Sequence, residues 1–277
     1  MKLLPLLLAT LLAAASPEPA AAAMATGPAT GADEAASSHP AYDAALSETI
    51  GREINVLVLG EPSLAPGNDT PLLLILDGGR EEDFPWIAEA LQAAHADGRL
   101  PPLVAVGLAN GERRYELTFP SQDPQDLALI PRNGGATGNF LMIRDRLLPA
   151  LAKRFPAEGP RLVAGESLAG LFILDMFRRQ PALFDAWLAF DPSTWWRGGD
   201  IVGMLRALPP PRPDEGRVLL FTGTGEGNGE GTREAHAALH AAGHGDASLD
   251  VVDGADHGSI YRARLIQALA QALQAER

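Results

Sequence analysis

The feature that most restricts this chain is a set of short, continuously apolar runs, each ended by glycine or aspartate and followed by a segment with helical spacing. Leu72–Leu76 contains only leucine and isoleucine and stops at Asp77-Gly78-Gly79. Leu103–Leu108 is a run of the same kind. Such a run, with no polar alternation, suits a strand covered on both faces rather than one that shows a face to water. Between the two, residues 84–95 bring Ile87 and Leu91 onto one helical face. The alternation continues with strands at 161–164, 187–190, 218–222 and 248–252 and helices at 168–178, 201–208, 232–242 and 259–274. An earlier alternating strand covers 53–59, and residues 140–155 read as an amphipathic helix kinked by Pro149. This order predicts an α/β fold: a mostly parallel central sheet with helices on both faces. In such sheets the chemistry sits at the carboxyl ends of the strands.

The N-terminal stretch does not share this pattern. Lys2, the apolar run at 3–15 and the small residues Ala13-Ala14-Ala15 read as a signal peptide over residues 1–15, with a second small-residue stretch at 20–23 as another cleavage site. Residues 16–38 are Ala/Pro-rich and without periodicity, which predicts a flexible leader. One domain then runs over residues 39–277, in a protein bound for the periplasm or the medium. The apolar run is short for a membrane span and no cysteine follows it to carry a lipid, so no stable membrane anchor is expected. The absence of cysteine also removes disulfides, thiolate nucleophiles and cysteine–metal sites. The formal net charge is −13, and Lys and Arg form no dense block, which argues against nucleic acid or an anionic membrane as partner. Oligomeric state is not legible.

Three strand ends carry chemistry. In Leu162-Val-Ala-Gly-Glu-Ser-Leu-Ala-Gly, Ser167 lies between a strand and a helix, the setting of a nucleophile elbow. Gly165 lets the turn close, Ala169 stands where a second glycine is usual, and the Leu168 N–H opens the helix toward a developing oxyanion. His257 follows the last strand and precedes the last helix, the only histidine at such an address. Asp77-Gly78-Gly79-Arg80 ends a strand where the second oxyanion donor belongs; the Gly79 N–H is the first choice, with Arg80 beside it. The acid partner of the histidine stays open. Glu226 leads, in the loop after the next-to-last strand; Glu230 is second, and Asp191, at the end of the preceding strand, is third. A Ser–His dyad is a further alternative.

Several stretches together resemble the siderophore-esterase and esterase D-like branch of the α/β-hydrolase superfamily. They are Leu76-Asp-Gly78; Val106-Gly-Leu-Ala-Asn110 with Arg113-Arg-Tyr-Glu-Leu-Thr118; the elbow through Phe172; Pro181-Ala-Leu-Phe-Asp-Ala186; Pro192-Ser-Thr-Trp-Trp196; and Asp256-His-Gly-Ser259. Tyr115 and Glu116 depart from the Arg and Asp usual in the second of these. The resemblance covers about residues 45–270. It implies an α/β-hydrolase fold and an ester hydrolase, without naming the ester.

The implied chemistry is acyl transfer on a small-molecule ester: Ser167 attacks, His257 takes the proton, and the Gly79 and Leu168 amides hold the oxyanion. It needs no metal and no organic cofactor. Arg80, Arg113, Trp195 and Trp196 are the candidates for substrate binding, siderophore-type or aromatic esters being the family's likeness. Two other functions share the same motifs: an acyltransferase, in which an alcohol replaces water, and a non-catalytic ligand-binding protein on a hydrolase scaffold.

Overall fold

The computed structural model describes residues 40–274 apart from 64, 66 and 67; the expected signal peptide and leader lie outside the described residues. In chain order the first half contains β1 (Ala41–Tyr42), α1 (Ala44–Ile50), β2 (Ile54–Leu59), β3 (Leu72–Leu76), α2 (Phe84–Ala96), β4 (Leu103–Leu108), α3 (Arg113–Glu116), α4 (Pro124–Leu129), α5 (Ala136–Met142) and α6 (Leu148–Arg154). The second half contains β5 (Arg161–Glu166), α7 (Leu168–Arg179), β6 (Ala186–Phe190), α8 (Trp196–Arg206), β7 (Arg217–Gly223), α9 (Gly229–Ala241), β8 (Ser248–Val252) and α10 (Ile260–Gln274).

The strands form one sheet in the order β1-β2-β4-β3-β5-β6-β7-β8. The β1–β2 and β2–β4 pairs are antiparallel and every other pair is parallel. This is the mostly parallel α/β sheet expected from the alternation, and the α/β-hydrolase fold that the resemblance implies. Side-chain alternation sorts each strand into two apolar layers. Val163, Trp187, Ala189 and Leu220 pack on the side of α7 and α9. Leu162, Ala164, Leu188 and Phe190 pack on the side of α2 and α10. Because both faces are covered, β2 to β4 and β6 are buried along their whole length, as continuous apolar runs require. Strand order reverses at β3, with β4 on one side and β5 on the other, which opens a crevice above their carboxyl ends. Among the described residues no helix is long and apolar enough to cross a membrane.

One expected element differs, and the helix expected at 201–208 keeps its place behind an irregular head. The segment at 140–155 is two α-helices separated by a π turn at Ile143–Leu147, closed by the Leu148 N–H donating to the Ile143 carbonyl. Pro149 sits in the first turn of α6, where its ring and missing N–H do not suit the regular ladder of an uninterrupted helix; the wider turn accommodates it. Residues 197–199 have left-handed backbone at the head of α8, so its regular part starts after two glycines.

Candidate active site

Ser167 joins β5 to α7 with φ 61° and ψ −118°, a conformation a residue with a Cβ holds only when its surroundings enforce it. Here they do. The Ser167 N–H donates to the Phe190 carbonyl at 3.0 Å, and the Ser167 carbonyl accepts from the Ser193 N–H at 2.9 Å and from Leu171 in the first turn of α7. A Cβ on Gly165 would stand 2.7 Å from the Ala169 Cβ, so the close strand-to-helix approach needs glycine at 165 and tolerates alanine at 169. Leu168 is the first helical residue; its N–H has no acceptor within the helix and lies at the positive end of the helix dipole.

The structure brings Ser167 and His257 together: His257 Nε2 is 3.1 Å from Ser167 Oγ. The backbone of His257 is pinned by its N–H donating to the Glu226 carbonyl at 2.8 Å. On the other side of the ring, His257 Nδ1 is 2.6 Å from Asp191 Oδ2. The carboxylate on the imidazole is therefore Asp191, at the end of β6, and not Glu226. Glu226 lends only its main chain to this contact and carries an exposed side chain, and Glu230 is exposed in the first turn of α9. Strand β7 and the loop after it, where the acid was expected, instead supply what holds Asp191. The Asn228 N–H donates to Asp191 Oδ2 at 2.8 Å, its side-chain amide donates to the Asp191 carbonyl at 2.8 Å, and the Thr222 hydroxyl donates to Oδ1. Asp191 has φ 39°, so the chain turns sharply off the strand just as the carboxylate is delivered.

The charges fit this arrangement. Burial alone would raise the Asp191 carboxyl, but hydrogen bonds from His257, Thr222 and Asn228 outweigh it and leave it below the usual carboxylate range. The Asp191 bond is the main cause that raises His257 above an ordinary imidazole, against the opposing effect of burial. Residue 166 behaves in the opposite way: burial pushes the Glu166 carboxyl up to about 7.

A cleft of about 510 Å³ opens over Ser167 and His257, walled by Arg113, Arg114, Trp195 and Leu129. Trp195 is 42% exposed there and Leu129 57% exposed. Trp196, expected with Trp195 at the substrate, is instead a fully buried core residue whose indole N–H donates to the Phe119 carbonyl at 2.8 Å. Arg80 does not reach the cleft either; its side chain is exposed, paired with Glu53 and lying over the Tyr42 ring. The expected Gly79 donor is also committed elsewhere: its N–H donates to Glu82 Oε2 at 2.8 Å. The neighbouring amides are used too, Gly78 by the Leu108 carbonyl and Arg80 by the Glu53 carboxylate.

Arg113 does line the cleft, but its Nε and Nη2 are spent on Asp77, at 2.8 and 2.6 Å. Burial alone would lower the Arg113 guanidinium; Asp77 outweighs that and raises it. Sequence reasoning did not find Ser193, whose Oγ is 3.1 Å from Ser167 Oγ, nor Asn228 and Thr222. Only the Pro192-Ser193 motif carried a signal for the first; the other two are ordinary polar residues of a strand end and its loop.

The family model described as "Putative esterase" matches residues 47–272. The chain belongs to this esterase family. Over 169 residues it is 25% identical to the ferri-bacillibactin esterase BesA of Bacillus subtilis, covering 54% of this chain and 57% of that protein. Over 99 residues it is 31% identical to the siderophore enterobactin esterase of Emericella nidulans, covering 32% of this chain and 33% of that one. The chain thus spans between a third and just over half the length of these relatives. Among solved structures, the BES protein from Bacillus cereus superposes with a TM-score of 0.68 at 22% identity, over 85% of this chain and 95% of that chain. The enterobactin esterase FES from Shigella flexneri gives 0.63 at 23% identity, over 82% of this chain and 56% of that one. The motif resemblance and the fold of this esterase family therefore agree.

Proposed function

We propose that this protein is an exported serine hydrolase that cleaves carboxylic esters through a Ser167–His257–Asp191 triad. The observation that carries the reading is the relay itself, Ser167 Oγ to His257 Nε2 at 3.1 Å and His257 Nδ1 to Asp191 at 2.6 Å, mounted on a strained strand-to-helix elbow beside an open cleft. In the reaction His257 Nε2 takes the Ser167 proton as Oγ attacks the ester carbonyl. The imidazolium that forms is held by the buried Asp191 carboxylate. The Leu168 N–H, at the helix terminus, donates to the carbonyl oxygen as it becomes negative. His257 then returns the proton to the leaving alkoxide, and the alcohol departs. A water, deprotonated by the same imidazole, releases the acyl group from Ser167.

The substrate side of the proposal rests on the cleft and on the relatives. Trp195 offers a half-exposed ring face to an aromatic acyl or aryl group, and Arg114 places positive charge at the wall, while the Arg113 charge there is paired with Asp77. The named relatives are siderophore esterases, which supports siderophore-type or aromatic esters as the first compounds to test. Export rests on the sequence of residues 1–23.

The test is fluorophosphonate labelling read by intact mass, with p-nitrophenyl acetate turnover in parallel. Wild type is expected to gain one adduct that Ser167→Ala lacks, with turnover lost in both Ser167→Ala and His257→Ala. Folded wild type that neither labels nor turns over would refute the reading and leave a ligand-binding protein. Transfer of the acyl group to an added alcohol in preference to water would make it an acyltransferase.

A further inference from the structure

Glu166, the residue before the nucleophile, has no task in the chemistry above, yet its position is costly. Along β5 the side chains at 162 and 164 enter the layer between the sheet and α2 and α10, while 163 enters the opposite layer. Glu166 continues the first series, so its carboxyl heads into the same apolar layer. Its register partner on β6 is Phe190, which packs against Phe221 and Tyr261 there. Glu166 Oε1 is completely shielded and has no hydrogen-bond partner among the described residues, and the Tyr261 hydroxyl, on α10, is in the same condition. Buried oxygens of this kind cost stability and are tolerated mainly where they serve a function.

The charged and titratable groups around this carboxyl come from five elements. They are His257 in the β8–α10 loop, Asp191 after β6, Asp83 at the head of α2, Arg113 on α3, and Tyr261. Arg113 is itself tied to Asp77 at the end of β3. Among these, His257 is the neighbour whose charge changes during the proposed reaction. The influence is mutual: His257 draws the Glu166 carboxyl toward ionisation, and Glu166 helps to raise His257.

We propose that Glu166 is a second carboxylate acting on His257, a positioning residue whose negative charge joins that of Asp191 in holding the imidazolium, so that activity is governed by two coupled protons rather than one. The proposal rests on the acyl-transfer reading of this site. When Glu166 is ionised, His257 is the stronger base. When Glu166 takes up a proton, that support is withdrawn and His257 becomes the weaker base. Burial raises Glu166 to about 7, and because each group shifts the other, the observed steps belong to the pair. A glutamine at 166 imitates the protonated carboxyl permanently. It is therefore expected to move the acid limb of activity to lower pH and to lower the plateau, two effects that a loss of packing would not couple.

The experiment compares kcat/KM for p-nitrophenyl acetate in wild type and Glu166→Gln from about pH 5 to about pH 8, with fluorophosphonate labelling of Ser167 in both. The expected result is normal labelling, an acid limb displaced to lower pH in the variant, and a plateau reduced roughly three- to tenfold. An unmoved limb in a variant that still labels would overturn the role of Glu166 while leaving the serine-hydrolase reading intact. Failure of wild type to label would overturn both. A measurement on unaltered protein guards against a variant that does not fold: the His257 imidazole followed by nitrogen NMR is expected to titrate in two steps, and a single step would refute the coupling.

Discussion

Replacing Asp191 separates the two things its carboxylate does for His257. Asp191 is 1% exposed and accepts from His257 Nδ1 and the Asn228 N–H through Oδ2 and from the Thr222 hydroxyl through Oδ1. In Asp191→Asn the amide has one orientation that keeps the network. Its oxygen takes the Oδ2 place, where both His257 and Asn228 need an acceptor, and its NH₂ faces Thr222, whose hydroxyl can rotate and accept. The imidazole keeps the tautomer with Nε2 free to take the Ser167 proton, and only the charge is lost. A hydrogen bond to a charged group contributes about 1.5–3 kcal/mol against about 1 for a neutral one. Losing the charge alone is therefore expected to cost about 0.5–2 kcal/mol of transition-state stabilisation, or roughly 2- to 30-fold in kcat.

Asp191→Ala removes orientation as well. It leaves the Asn228 N–H and the Thr222 hydroxyl without their acceptor and the ring free to adopt the wrong tautomer, so roughly the 10⁴-fold loss of a triad histidine without its acid is expected. The assay is single-turnover acylation by p-nitrophenyl acetate, with thermal melting to separate catalysis from folding. Equal losses in the two variants would refute the hydrogen-bond argument. A loss under about tenfold in Asp191→Ala would refute Asp191 as the acid.

Other perturbations follow from the same geometry. A Cβ on Gly227 would sit 2.5 Å from Asp191 Oδ2 and 3.4 Å from the His257 Cβ, so Gly227→Ala is expected to reduce kcat by roughly 100-fold or more while the melting temperature changes little. Glu226→Gln, by contrast, removes no contact to the imidazole and is expected to stay within about tenfold of wild type in kcat, which the same assay reads. Trp195→Ala is expected to raise KM for aryl esters more than it lowers kcat, since the ring lines the cleft without touching the relay. The His257–Asp191 pair also links stability to pH. His257 is raised in the fold, so its contribution is fully present below its unfolded value of 6.5 and is lost as pH rises through its folded value. Asp191 is lowered, so its contribution is present above 3.8 and is lost as pH falls through its folded value. Denaturant titrations of wild type and His257→Gln are therefore expected to converge as pH rises past neutrality; a constant gap would refute the linkage.

The parts of this protein that the sequence alone determined are those set by local, repeating patterns. Leu72–Leu76 and Leu103–Leu108 read as strands covered on both faces, because no polar side chain offers either face to water and each run is too short for a helix of ordinary length. Ser167 and His257 were legible because strand-to-helix junctions are visible in the chain and place polar side chains above the sheet. What the sequence left open is what depends on distances between segments far apart in the chain. Asp191 and Glu226 both lie between serine and histidine in order, and nothing local separates them. The choice falls to Asp191 because β6 pairs beside β5, and because Thr222 and Asn228, from β7 and the loop after it, converge on its carboxylate.

The fates of Trp195 and Trp196 were likewise undecidable from adjacency: one ring stands 42% exposed at the cleft and the other is fully buried. Gly79 had the right address, but the Glu82 carboxylate three residues on claims its N–H, a competition visible only in three dimensions. Backbone periodicity is a property of neighbouring residues, whereas a hydrogen-bond partner is decided by every group the fold brings within about 3 Å. That is why the elements and the junctions that hold Ser167 and His257 could be read from the chain, while the carboxylate on the imidazole, the partner of the Gly79 amide and the cleft wall had to wait for the tertiary structure.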